Sequence, residues 1–170
     1  MSVLVLTLRV VHVVGGIIWV GSSIFSTLFL GPAIQDAGPD GMKVAGALQR
    51  RGMMTFMPIV ALATIVSGIW LYWRDAGGFN VGYMATPVGF MFGLGGALAL
   101  LVFLTGITVG MPAMRRAGTL QQSLGALPEP ERAARTAEIR RLQARAGGIA
   151  RAATVVLLAV AVTMVIARYV

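Results

Sequence analysis

The sequence predicts an all-α integral membrane protein: an antiparallel four-helix bundle with both termini outside the cytoplasm and an amphipathic cytoplasmic helix between the third and fourth spans. Three observations predict it. Hydrophobic residues make up 57% of the 170-residue chain and charged residues only 12%, about half the share in an ordinary soluble domain. The apolar residues gather into four runs, each near the ~20 residues that cross a hydrocarbon core. The basic residues, thirteen of fourteen being arginine, concentrate in two of the connections.

The four spans cover about 3–30, 56–73, 88–109 and 149–167 of a single transmembrane domain, 1–170. The first is longer than a bilayer needs, so it must tilt or protrude. It contains Arg9, which can snorkel outward, and no clear small-residue cleavage site, so it reads as a retained helix rather than a signal peptide. Gly31-Pro32 is expected to stop it. Thr86 is placed to cap the third span, with Pro87 at the first helical position. Gly147-Gly148 is expected to separate a polar helix from the fourth span. Trp70, Tyr72 and Trp73 end the second span and Tyr169 ends the fourth, the pattern of an interfacial aromatic belt. No internal repeat of useful length is expected, and the two hairpins do not visibly repeat each other.

Orientation follows from the basic residues. The connection after the first span carries Lys43, Arg50 and Arg51. The connection after the third carries Arg115, Arg116, Arg132, Arg135, Arg140, Arg141, Arg145 and Arg151. The opposite side has only Arg9, Arg74 and Arg168, so eleven against three places the two long connections in the cytoplasm. In the second of them a helix is expected to begin at Pro128-Glu129-Pro130-Glu131. Its acids come first and its arginines last, in favour of the helix dipole, and Glu131 with Arg135 is an expected i,i+4 pair. Arg132, Arg135, Arg140, Arg141 and Arg145 read either as a surface for a partner or anionic lipid headgroups, or as a solvated positive-inside linker. The net charge of +8 is a matter of topology, and no nucleic-acid partner is expected.

The chain has no cysteine, which excludes disulfides, thiolate metal sites and c-type haem attachment. Its single histidine, His12, shares a helical face with Gly16, Trp19, Ser23 and Ser26, flanked by Gly15 and Ser22. Ionisable residues inside a span face the bundle interior or a site. Two readings stand for His12: a neutral imidazole bonded to a neighbouring backbone or hydroxyl group, or an axial ligand to haem iron or a copper ligand. In the second, Arg9 and Arg168 face the haem propionates, and Met91 or Met164, at about the depth of His12, supplies a sixth ligand. A further copper location, less favoured, is offered by Met53, Met54 and Met57 with Met111 and Met114 at the cytoplasmic ends. Gly89-x-x-x-Gly93 and Gly106-x-x-x-Gly110 read as close helix-packing motifs. With one His, no Cys and no acid inside a span, neither a nucleophilic triad nor a carboxylate pair is assembled in the bilayer. The sequence points away from an enzyme, and the absence of midplane charges away from a transporter.

Leu8-x-x-x-His12, Trp19-Val-Gly21 and Leu30-Gly-Pro32-Ala33 together resemble the start of the CopD-like group of small bacterial membrane proteins. Arg50-Arg51, Phe56-x-Pro58 and Ser67-Gly68-Ile-Trp-Leu resemble its second span, and Met164-x-x-x-Arg168-Tyr169 its close. That group is similar to the HemJ-type protoporphyrinogen oxidases, in which a first-helix His and a later Lys serve haem or porphyrin. His12 matches the first position. The later Lys has no match, Lys43 being the only lysine. The resemblance implies haem b, with copper as the lesser expectation, and a location in the bacterial inner membrane. Two function classes therefore stand: a small haem- or metal-binding membrane protein with a redox role through His12, or a non-catalytic accessory subunit of a larger membrane complex. The expected partners are the lipid bilayer, such a complex or a second copy in a homodimer, and anionic lipid.

Overall fold

The structure, a computed structural model, describes residues 2–169. It is built of helices: α1 (Val3–Asp36), α2 (Gly38–Arg50), α3 (Met53–Asp75), α4 (Val81–Met84), α5 (Pro87–Ser123) and α6 (Glu129–Tyr169), the last closing in a 3-10 turn. Helices α1, α3, α5 and α6 are each long and apolar enough to cross a membrane. The protein is a multi-pass membrane protein, and side chains such as Ile17, Phe29, Val66, Leu101 and Val155, exposed on the helix surfaces, are its contact with lipid.

Local chemistry explains the helix starts. Ser2 accepts a hydrogen bond from the Val5 N–H at the head of α1. Gly52, at φ +83°, makes the left-handed turn before α3, a conformation cheap only for glycine. Thr86 accepts from the Gly89 N–H at 3.1 Å with Pro87 behind it, so α5 begins as expected.

The helix ends depart from expectation twice. Gly31-Pro32 does not stop α1. A five-residue π-helical segment, Ser26–Leu30, lies directly before it, and the Gly31 N–H reaches back to the Ser26 carbonyl. Proline removes a donor and crowds the carbonyl four residues back. One widened turn upstream makes room for the ring, so the helix passes through to Asp36. Nor does Gly147-Gly148 separate an amphipathic helix from the fourth span. α6 runs unbroken across both glycines, because a glycine costs a helix about 1 kcal/mol while a break would require a new and costly nucleus. The amphipathic segment is thus the first half of α6.

α5 likewise continues past Val109 and lies alongside this segment, with Ala113, Ala117, Ile139 and Ala146 buried where the two run together. Arg116 donates to Glu138 across the seam at 2.5 Å. The expected Glu131–Arg135 pair does not form among the described residues. Arg135 turns instead to Glu138 at 3.5 Å, and Arg132 to Glu129 at 3.2 Å.

α5 also repeats α1. Gly15-Gly16, Pro32-Ala33 and Ala37-Gly38 recur at one constant offset as Gly95-Gly96, Pro112-Ala113 and Ala117-Gly118. A second π-helical segment, Gly106–Gly110, precedes Met111-Pro112 as the first precedes Gly31-Pro32. The expectation of no internal repeat is corrected. The matching positions are short pairs among otherwise dissimilar residues, and their shared backbone irregularity makes them visible.

The four long helices pack as a helical bundle through small and hydroxyl-bearing residues, as membrane helices do. α1 meets α3 where Gly15 faces Thr64. α3 meets α5 where Tyr72 faces Gly89 and Gly93. α5 meets α6 where Gly95 faces Met164 and Thr163. α6 returns to α1 through the hydroxyls of Thr154 and Thr27, 2.9 Å apart. Trp19 and Phe103, ring centroids 6.5 Å apart and edge to face, link α1 to α5.

Candidate functional site

The polar stripe expected on α1 faces the other helices. Gly16 lies against Thr64 of α3, Trp19 against Phe103 of α5, and the Ser23 carbonyl accepts a 3.3 Å bond from the Thr154 hydroxyl of α6. His12 heads this stripe and is half-buried.

His12 Nδ1 lies 2.8 Å from the Thr64 carbonyl oxygen. A carbonyl only accepts, so Nδ1 carries a proton, and in the neutral ring Nε2 has the free lone pair. No described residue bonds to Nε2, and it is not among the sealed polar atoms of the interior. The same Thr64 carbonyl accepts the Ser67 hydroxyl at 3.0 Å, and that hydroxyl lies 2.6 Å from the Ala63 carbonyl. Ser67 is 2% exposed, so the acceptor is fixed from behind.

The imidazole lies on Gly68. A Cβ there would come within 2.6 Å of His12 Cε1 and 2.9 Å of Nδ1. Gly15, one turn along, is equally constrained: its Cβ would strike the Thr64 hydroxyl, which is bonded back to the Val60 carbonyl at 2.8 Å. Thr64 and Gly68 were not singled out in the sequence as partners of His12. The available signal was the small and hydroxyl-bearing residues Thr64, Ser67 and Gly68 at helical spacing in an otherwise bulky apolar helix.

The other expected site residues are distributed as follows. Arg9 is half-buried one turn before His12 on α1. Met91 is half-buried on α5. Met164 packs on α5, its methyl group 2.8 Å from where a Gly95 Cβ would stand. Arg168 is exposed in the closing turn of α6. The structure thus brings His12 to α3 and Met164 to α5, in two different helix pairs. Phe92 stands at the position of α5 that corresponds to His12 in the repeat, so the imidazole belongs to one half of the chain. Met53, Met54 and Met57 are half-buried at the start of α3, and Met111 and Met114 follow the π segment of α5. Among the described residues no three His, Cys, Asp or Glu side chains gather as a metal cage.

At the other end of α3, Tyr72 departs from the expected aromatic belt. Its hydroxyl donates to the Gly89 carbonyl at 3.0 Å, and its ring meets Phe79 and Tyr83 at centroid distances of 6.1 and 6.0 Å. Gly89 and Gly93 form the notch that admits it: a Cβ at Gly93 would lie 3.0 Å from the Tyr72 hydroxyl oxygen. Phe79 holds a left-handed φ of +62° in the turn. Burial, then the negative charge of Asp75 and then Tyr72, push the Tyr83 phenol above its ordinary range. Trp73 remains 46% exposed, as an interfacial residue should be.

The chain matches no protein-family model, no curated protein and no solved structure.

Proposed function

We propose that this protein is an antiparallel four-helix bundle of the bacterial inner membrane, with both termini outside, that holds a b-type haem through His12. The observation that carries this reading is the single hydrogen bond from His12 Nδ1–H to the Thr64 carbonyl. It fixes the tautomer and the ring plane and leaves Nε2 as the basic atom, which is the state that an axial imidazole ligand needs. The donor set fits haem better than a protein-caged metal, since one imidazole suffices for haem and a closed zinc or copper site needs more ligands. Arg9 and Arg168 are the cations for the propionates, and Met91 and Met164 the available thioethers. Copper held by the same Nε2 is the lesser form of the proposal. Bound haem would supply one-electron transfer; the chain's own part is to hold the imidazole and exclude water. The reading agrees with the resemblance to the CopD-like group, while the missing later Lys speaks against porphyrinogen oxidation.

The experiment is an absorption spectrum of protein purified from haem-supplemented cells. A Soret band that His12→Ala removes, and that Met91→Ala or Met164→Ala shifts, is the expected result. Colourless protein, or a band indifferent to His12→Ala, refutes it.

A second reading, an accessory subunit in a larger membrane complex or a homodimer, is favoured by one feature. The paired α5 and α6 segments extend past the apolar spans and present Arg132, Arg135, Arg140, Arg141 and Arg145, a surface also suited to anionic lipid. Larger chains co-purifying in fixed ratio with colourless protein would support it. The chain has no cysteine, so single cysteines at Gly118 and at the exposed Val81 report the topology by labelling from either side.

A further inference from the structure

We infer that the connection between α3 and α5, residues 76–86, lies on the bilayer rather than in water, with Phe79, Val81 and Met84 set into the headgroup layer as apolar anchors. Its partner is the bilayer interface itself, whatever the headgroup charge. The connection has no charged residue. The three side chains are exposed, Val81 by 78%. None of them is part of the aromatic belt expected at Trp70, Tyr72, Trp73 and Tyr169.

The ends of the connection fix its depth. The apolar stretch from Met53 to Trp73 is about 31 Å long at 1.5 Å per residue, which matches the ~30 Å hydrocarbon core. The exposed Arg74–Asp75 pair follows it directly, so the chain leaves α3 at the hydrocarbon edge. It also returns there. The Tyr72 hydroxyl bonds the Gly89 carbonyl, which brings the first turn of α5 level with the last of α3. Between these ends stand one left-handed turn and α4, itself a single turn about 6 Å long. The headgroup layer is about 5–7 Å thick on each side of the core. A connection folded this tightly stays within that layer.

The backbone is suited to a layer poor in water. The N–H groups of Ala76, Gly77 and Gly78 donate back to α3, and that of Asn80 donates to the Ala76 carbonyl. The Asn80 side chain accepts from Gly82 and Tyr83. Met84, Ala85 and Thr86 donate within the connection. Non-helical backbone near the hydrocarbon region requires such internal partners. Phe79 keeps a bulky ring at φ +62° although glycines fill the two positions before it, a conformation costly for any side chain. Its ring meets Tyr72 and remains half exposed. Gly78 lies beside the Trp73 indole, so the apolar patch continues the exposed stripe Val66, Ile69 and Trp73 of α3. In water this patch would be uncompensated; at the interface it is an anchor.

The test uses the full-length protein in nanodiscs, with a nitroxide on a single cysteine at Val81 or Met84 and a reference label at Gly118 in the α5 extension. Power-saturation spectra read collisions with oxygen, which concentrates in lipid, and with a water-soluble nickel chelate. The ratio of oxygen to chelate accessibility should be severalfold higher at Val81 and Met84 than at Gly118. It should be the same in phosphatidylcholine and phosphatidylglycerol. Headgroups are hydrated, so a thiol at Val81 still reacts from its own side of the membrane, and the graded ratio is the deciding quantity. A ratio equal to that at Gly118 places the connection in water and overturns the inference. So does protection from both reagents, which would mark a covering protein surface, or a high ratio in one lipid alone, which would mark a specific headgroup.

Discussion

Gly68→Ala is the sharpest perturbation of the histidine site. The new methyl group would stand 2.6 Å from His12 Cε1, and ordinary contact begins near 3.4 Å, so the ring must retreat by about 0.8 Å. A retreat of that size along the Nδ1 bond takes 2.8 Å to about 3.6 Å, beyond hydrogen-bonding range. Overpacking of this kind costs about 1–3 kcal/mol, and a stranded donor about 1–3 kcal/mol more. For a chain of this length each kcal/mol lowers the melting temperature by about 2–4 °C, so Gly68→Ala should melt roughly 4–24 °C below wild type. The assay is thermal unfolding in detergent, followed by near-UV circular dichroism, over the full double-mutant cycle with His12→Ala. Removing the ring removes the clash. The double variant should therefore be more stable than the sum of the single losses by at least about 1.5 kcal/mol. Losses that add within about 0.5 kcal/mol would refute the seat of the imidazole on Gly68.

Three further outcomes are expected. Tyr72→Phe deletes the bond to the Gly89 carbonyl and should cost about 1 kcal/mol in the same melting assay; Gly89→Ala should cost more, because its Cβ would strike the Tyr83 carbonyl. The Arg116–Glu138 pair has side chains 66% and 31% exposed. A double-mutant cycle on it should give under about 1 kcal/mol, shrinking further in high salt. Tyr83 should ionise above an ordinary tyrosine in a spectrophotometric titration, and Asp75→Asn should bring it down. Its folded pKa is raised, so the neutral phenol's contribution to stability is complete below the ordinary value of about 10 and is lost as pH climbs through the higher folded value.

The four membrane helices were legible because burial in lipid leaves a long apolar run whatever the packing. The caps at Thr86 and Pro87 were legible because they are local. The inward face of α1 could be read from spacing alone, since small and polar residues recurred with His12. What escaped depends on partners distant in sequence. Gly68 is a seat for His12 only because α3 runs beside α1, and Gly89 and Gly93 are a notch only because Tyr72 arrives from α3. The breaks read at Gly31-Pro32 and Gly147-Gly148 failed for a different reason. Local propensity disfavours helix at both places, but helix on each side carries the chain across, through a π turn in one and a modest cost in the other.

The unbroken course of α6 has a mechanical consequence. About 20 of its residues precede the apolar run, so at 1.5 Å each the turn joining it to α5 stands roughly 30 Å clear of the bundle. The pairing of α5 with α6 makes this extension a strut rather than a tether. The foot of α5 is the π turn and Pro112, where its hydrogen-bond ladder is already interrupted, whereas α6 enters the bundle with no such interruption. The interruption therefore lies in one helix of the pair, at the base of the extension, and its place is set by a single proline.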